Sequence, residues 1–168
     1  TRLERVGNDL DAVVLAVAGL TRLNRLDAIS QIFPFDVMPS APGQGALALE
    51  ARVSDLDGTD ALGAGLRHIG DVPTGLSVIA EREVLAYLEG GCTAPIGAHA
   101  QIGDNGLTLV ATVLRPDGTE SLTRSATVPV PTRDLDSLIV LARELGHRVA
   151  RDLVDAGAPD LAPLGATQ

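Results

Sequence analysis

Ile96-Gly-Ala-His-Ala-Gln-Ile102, Leu107-Thr-Leu-Val-Ala-Thr-Val-Leu114 and Ser121-Leu-Thr-Arg-Ser-Ala-Thr-Val128 are separated by Asp104-Asn-Gly106 and Arg115-Pro-Asp-Gly118. Both separators are turn signals, so the three runs are expected to form consecutive antiparallel hairpins. On the C-terminal side, Thr132 or Asp134 opens a helix. Leu135, Leu138, Ile139, Ala142, Leu145, Val149 and Leu153 share one of its faces, and Gly157 and Pro159 end it. On the N-terminal side, Thr74 is the expected N-cap of a helix in which Leu76, Ile79, Glu83, Leu85 and Leu88 include a helical stripe. Thr59 to His68 is a further helix, weakened by Gly63 and Gly65. Residues 58–157 therefore read as an α+β domain, a three-stranded antiparallel sheet with helices. The Pro/Ala/Gly-rich residues 158–168 are expected to be a flexible tail.

Upstream the pattern changes. Asp11-Ala-Val-Val-Leu-Ala-Val17 is a short β-branched apolar run and predicts a buried strand. Leu20, Leu23 and Leu26 recur at a spacing of three and predict a short helix after it. Strand into helix through Ala18-Gly19 is the α/β pattern, so residues 1–36 read as the end of an α/β unit. The chain opens on Thr1 in mid-pattern, and a piece of a longer protein is expected. Pro34, Pro39 and Pro42, with Gly43 and Gly45, mark an irregular crossing segment. Ala46 to Arg52 alternates weakly and predicts a strand, and Ser54 to Asp60 a charged linker, so residues 37–57 connect the two parts.

The composition narrows the function. The net charge is −9, which repels nucleic-acid phosphates and anionic membrane surfaces, so neither is an expected partner. Phe33, Phe35 and Tyr87 are the only aromatic residues, too few for a base-stacking platform. An anionic small substrate would need a local cluster of arginines, and all 13 basic residues here are arginine. Guanidinium forks bind carboxylates in two-pronged fashion, which lysine cannot do. No apolar run approaches ~18 residues, and no signal segment opens the chain, so a cytoplasmic protein is expected. His68, His99 and His147 lie on separate elements without metal-ligand spacing, and no metal is expected.

Cys92 is the lone cysteine and sits in Leu88-Glu-Gly-Gly-Cys-Thr-Ala-Pro-Ile-Gly97. An apolar helical run ends at Leu88, and Gly90 and Gly91 are expected to break it, presenting the thiol on a turn. Such a thiol is either a small buried hydrophobe or an attachment point or nucleophile. Gln44 and Gly45 stand in a second glycine turn, whose backbone amides can point at an anion. Glu81 and Arg82 fall within a helix and read as a structural ion-pair site.

Four elements now stand in order: Asp11-Ala-Val-Val-Leu-Ala-Val-Ala-Gly-Leu-Thr-Arg-Leu23, Pro42-Gly-Gln-Gly-Ala46, Ala80-Glu-Arg82, and Leu88-Glu-Gly-Gly-Cys-Thr-Ala-Pro-Ile-Gly97 followed by Ala98-His-Ala100. This order and spacing resemble the porphobilinogen deaminases, or hydroxymethylbilane synthases. The resemblance covers nearly the whole chain except the tail. It implies a transferase of haem and tetrapyrrole biosynthesis. Such enzymes join four porphobilinogen molecules head to tail on a dipyrromethane cofactor, which a cysteine holds through a thioether. By resemblance that cysteine is Cys92, the carboxylate-binding arginines are Arg2 and Arg22, and Gln44 and Gly45 lie beside the cofactor.

The resemblance also implies three domains. This chain then corresponds to the closing part of a second, periplasmic-binding-protein-like α/β domain, the strand that returns to the first, and the entire third. The family's essential aspartate belongs to the N-terminal half, so no catalytic residue is expected in this chain and the isolated chain is expected to be inactive. Its expected partners are porphobilinogen, the growing oligopyrrole and the N-terminal domains of the same protein. The alternative is a non-catalytic α+β module retaining the family's shape for binding or assembly. A thiol enzyme unrelated to the family would need a His or Asp partner for Cys92, and no interpretable spacing provides one.

Overall fold

The computed structural model describes residues 2–91, 94–132, 134–162 and 164, which fall in two compact units, Thr1–Val37 and Met38–Gln168. The first unit contains a 3-10 turn at Leu3–Arg5, helix α1 at Val17–Arg22 and a second 3-10 turn at Leu26–Ala28. Leu20 is its buried residue, from the middle of α1. The strand expected over Asp11–Val17 is absent. A strand exists through its ladder, and residues 12–16 find no pairing partner among the described residues. Val14 is 60% exposed and Val17 begins α1 instead.

In the second unit the strands are β1 at Ile96–Gly103, β2 at Gly106–Leu114 and β3 at Ser121–Val128. They form an antiparallel sheet in the order β1-β2-β3, as the turn signals require. β1 and β2 run in register from Ile96 opposite Val113 to Gly103 opposite Gly106. β2 and β3 run from Leu107 opposite Val128 to Leu114 opposite Ser121. Gly106 has φ 113°, and a Cβ there would stand 2.0 Å from the Val128 carbonyl oxygen, so glycine is required at the turn. The second hairpin is closed by Arg115, whose guanidinium meets Glu120 at 2.6 Å.

Helices α2 (Val53–Leu56), α3 (Ala61–Ile69) and α4 (Val72–Tyr87) precede the sheet, and α5 (Leu135–Asp155) and α6 (Ala158–Leu161) follow it. The core lies between one face of the sheet and α4 with α5. Ala98, Ala100, Leu107, Leu109, Ala111 and Val113 come from the strands and pack with Leu76, Ala80 and Val84 of α4. Leu138, Ala142, Leu145, Val149 and Leu153 of α5 complete it, at the helical spacing the sequence shows. Full burial of each large aliphatic side chain contributes about 1.5–3 kcal/mol. The two helices approach closely at Gly146, where a Cβ would meet Glu83 Cβ at 2.6 Å and the Ala80 carbonyl oxygen at 2.7 Å.

Several boundaries differ from expectation. The α4 N-cap is Asp71, not Thr74: its carboxylate accepts the Thr74 N–H at 2.9 Å and the Thr74 hydroxyl at 2.5 Å. Asp134 caps α5 in the same way through Ser137. The Ser137 hydroxyl, then its amide, hold the Asp134 carboxyl below its ordinary value, as Thr74 does for Asp71. A depressed native value means the stabilisation is present above the ordinary carboxylate value and is lost as pH falls through the native one. Ala46–Arg52 forms no strand, and Leu47 and Leu49 are 82% and 66% exposed because no neighbouring strand pairs with them among the described residues. The charged linker begins inside α2. The expected flexible tail starts as α6, with Ala158 and Ala162 buried against the core; residues 163 and 165–168 lie outside the described residues. No described helix is long and apolar enough to cross a membrane.

Candidate functional site

Segment 39–46 lies along the free edge of β1. The Ala98 N–H donates to the Ser40 carbonyl oxygen at 2.9 Å, extending the sheet by one bond. Pro39 covers Gly97, where a Cβ would come within 2.3 Å of Pro39 Cβ, so the close approach depends on glycine. Gly43 turns the chain at φ 77°. Its N–H donates to Oε2 of Glu81 at 2.6 Å, and Oε1 of the same carboxylate accepts the Ala100 N–H at 2.8 Å. Glu81 is only 6% exposed. Its role is thus not an ion pair with Arg82: the carboxylate joins α4, the loop and β1 through two backbone amides. His99 Nδ1 is a further 3.9 Å neighbour of Oε1.

Most amides of this loop are already committed. Gln44 N–H donates to the Ala41 carbonyl oxygen at 3.0 Å and Ala46 N–H to that of Gly43 at 3.3 Å. Gly45 N–H has no partner among the described residues, and a Cβ there would meet nothing within 4 Å. The Gln44 side-chain oxygen accepts the Ala41 N–H at 3.2 Å, which leaves its NH₂ group as a donor. Gln44 and Gly45 are exposed and adjacent, so the loop presents two uncommitted neutral donors to solvent. That donor set suits a carboxylate. A carboxylate-bearing oligopyrrole fits it better than a cation or an apolar ligand does.

Cys92 and Thr93 lie outside the described residues, but the helix end that precedes them is defined. Glu89 N–H donates to the Ala86 carbonyl oxygen and Gly90 N–H to that of Leu85. These are the paired bonds of a Schellman helix end. The left-handed position is held by Glu89, φ 50°, and not by a glycine. Gly90 serves close packing instead: a Cβ there would stand 2.7 Å from both Ile96 Cδ1 and Leu85 Cδ1. Left-handed backbone costs an L-residue about 1–2 kcal/mol, partly offset on mutation by the greater freedom of glycine in the unfolded chain. Glu89→Gly should therefore raise stability by about 0.5–1 kcal/mol in denaturant unfolding. A loss of stability would show that the Glu89 side chain itself holds the turn.

In the first unit, Arg2 precedes the opening 3-10 turn and Arg22 ends α1. Both are exposed. The other two arginines of that unit are engaged internally: Arg5 Nε donates to Asp9 at 3.0 Å, and Arg25 Nε is 3.6 Å from Asp27. Arg2 and Arg22 have no carboxylate partner among the described residues. Arg2 and Arg22 thus belong to one unit, and Gln44 and Gly45 to the other.

Two family models match the chain. One, described as porphobilinogen deaminase, dipyromethane cofactor binding domain, covers residues 1–60. The other, described as porphobilinogen deaminase, C-terminal domain, covers residues 75–155. The chain belongs to the porphobilinogen deaminase family. It is 50% identical over 165 residues to the porphobilinogen deaminase of Leifsonia xyli subsp. xyli, covering 98% of this chain and 50% of the relative. It is 40% identical over 163 residues to that of Thermobifida fusca, covering 96% of this chain and 49% of the relative. With that of Corynebacterium glutamicum it shares 42% identity over 166 residues, covering 96% and 50%. The chain spans about half the length of these curated relatives. Arg2, Arg22, Gln44 and Gly45 fall in the porphobilinogen deaminase model described as cofactor-binding, and Cys92 in the C-terminal one.

The residue that sequence reasoning placed wrongly is Glu81. Glu81 followed by Arg82 within a helix reads as a structural ion-pair site, whereas the carboxylate is held by two backbone amides. The available signal was its position directly after Ala80 and three residues before Val84, on the inward side of α4, where a charged residue must find buried partners.

Proposed function

We propose that the intact protein is a hydroxymethylbilane synthase, a transferase that polymerises four porphobilinogen molecules on a dipyrromethane primer. In this reading Cys92 holds the primer through a thioether. When bound, the primer supplies the pyrrole terminus from which the chain grows. Gln44 NH₂ and Gly45 N–H donate to carboxylates of the primer or oligopyrrole, and Arg2 and Arg22 neutralise others through paired N–H bonds. The observation that carries this reading is the loop itself. Its uncommitted donors are fixed along the strand that follows the Glu-Gly-Gly-Cys segment, in a chain matched by a cofactor-binding family model. Residues 1–36 are read as the closing part of an α/β domain whose other elements come from the remaining half of such relatives. The catalytic aspartate belongs to that half as well.

Turnover tests this. The 168-residue chain alone, given porphobilinogen, should form no uroporphyrin after oxidation. A chimera that joins it to the remaining half of the Leifsonia relative should form it. Turnover by the chain alone would contradict the placement of the catalytic group. A folded chimera without turnover would contradict the enzyme assignment and favour a non-catalytic binding module.

A further inference from the structure

We propose that Glu81 is the positioning residue of this site: its carboxylate locks the Pro42–Gly45 loop to β1 and so sets where the Gln44 and Gly45 donors stand. The proposal rests on the functional reading above. Three observations carry it. First, the two carboxylate oxygens are divided between two segments, Oε2 to Gly43 N–H at 2.6 Å and Oε1 to Ala100 N–H at 2.8 Å. A purely internal role for a buried glutamate would need no contact with a loop 38 residues upstream. Second, Gly43 immediately precedes Gln44 and Gly45, whose side-chain NH₂ and backbone N–H respectively have no partner among the described residues, so the bond acts at the base of the presenting turn. Third, the other attachments of this segment to β1, Ser40 to Ala98 and Pro39 over Gly97, lie at its far end. Without Glu81, residues 43–45 would be tethered from one side only.

The chemistry requires a carboxylate. Two N–H donors need two acceptor oxygens, and a glutamine supplies one oxygen and one NH₂ group. In Glu81→Gln the NH₂ must face a backbone N–H, so one of the two amides loses its partner. The Ala100 amide is the more deeply buried and retains the oxygen, and Gly43 is released. Charge-assisted bonds to backbone amides are also stronger than neutral ones, so the remaining bond weakens too.

The test uses the Leifsonia chimera with Glu81→Gln and, separately, Gly43→Ala. The second variant disturbs the loop at its positive φ without altering the core carboxylate. Amide exchange at Gly43 should accelerate at least about tenfold in Glu81→Gln while Ala100 changes less, since one lost bond to a charged group is worth about tenfold or more. In both variants the folded apo-chimera should load the two-pyrrole primer about tenfold more slowly, with the KM of the loaded enzyme for porphobilinogen within about twofold. A lowered thermal midpoint with the loading rate unchanged in both variants makes Glu81 merely structural and overturns the proposal. If Glu81→Gln does not fold, Gly43→Ala decides by the same loading criterion. An unloaded, inactive parent chimera instead overturns the functional reading, and this proposal with it.

Discussion

Arg22→Lys, in the chimeric enzyme, should slow cofactor loading or chain elongation by about ten- to a hundredfold. Arg22 ends α1, is exposed, and has no carboxylate partner among the described residues, whereas Arg5 and Arg25 of the same unit are engaged by Asp9 and Asp27. An uncommitted guanidinium can accept a carboxylate through two parallel N–H bonds, and an ammonium reproduces only one of them. A bond to a charged group contributes about 1.5–3 kcal/mol, and 1.4 kcal/mol is tenfold. The thermal midpoint should stay within about 1 °C, since an exposed side chain makes few packing contacts. Porphobilinogen turnover and a melting curve on the same preparation check both halves. A lower midpoint with unchanged activity per folded molecule would make Arg22 structural.

Leu109→Ala should remove about 2–5 kcal/mol of unfolding free energy. Leu109 lies at the centre of β2, fully buried among residues of the sheet, α4 and α5. Truncation leaves a cavity that a sheet held by ladders on both sides cannot collapse to fill. Against a typical total of about 5–15 kcal/mol, this is a large fraction. Leu49→Ala is the matched control, because Leu49 is 66% exposed and should change stability by less than about 0.5 kcal/mol. Urea unfolding followed by circular dichroism would compare the two. A Leu109 effect no larger than the Leu49 effect would contradict the core described for the second unit.

The parts of the fold that were legible in the sequence are those governed by local rules. Asp104-Asn-Gly106 and Arg115-Pro-Asp-Gly118 place the two hairpins, and the observed strands extend the expected ones by a single residue at Gly103 and at Gly106. The α5 stripe appears as the buried face of that helix, save Ile139, which is only partly buried, and Leu135, which is 48% exposed in its first turn. What failed depended on partners distant in sequence. Asp11–Val17 and Ala46–Arg52 have strand composition, but a ladder requires a neighbour, and none pairs with them among the described residues. Asp71 outcompeted Thr74 as the α4 cap because its carboxylate could accept both the amide and the hydroxyl of Thr74. At the helix end, Glu89 rather than a glycine took the left-handed position, since Gly90 was needed for packing against Leu85 and Ile96. In the site, Gln44 and Gly45 were visible as a glycine turn. The commitment of Gly43 to Glu81 was not, because that contact joins residues 38 apart.

The most direct test of the account is peptide mass spectrometry of the cofactor-loaded chimera. The peptide containing Cys92 should carry the mass of a two-pyrrole adduct, and Cys92→Ser should carry none and show no turnover. An adduct on any other peptide, or an active enzyme whose Cys92 peptide is unmodified, would contradict the assignment of Cys92 as the point where the primer is held.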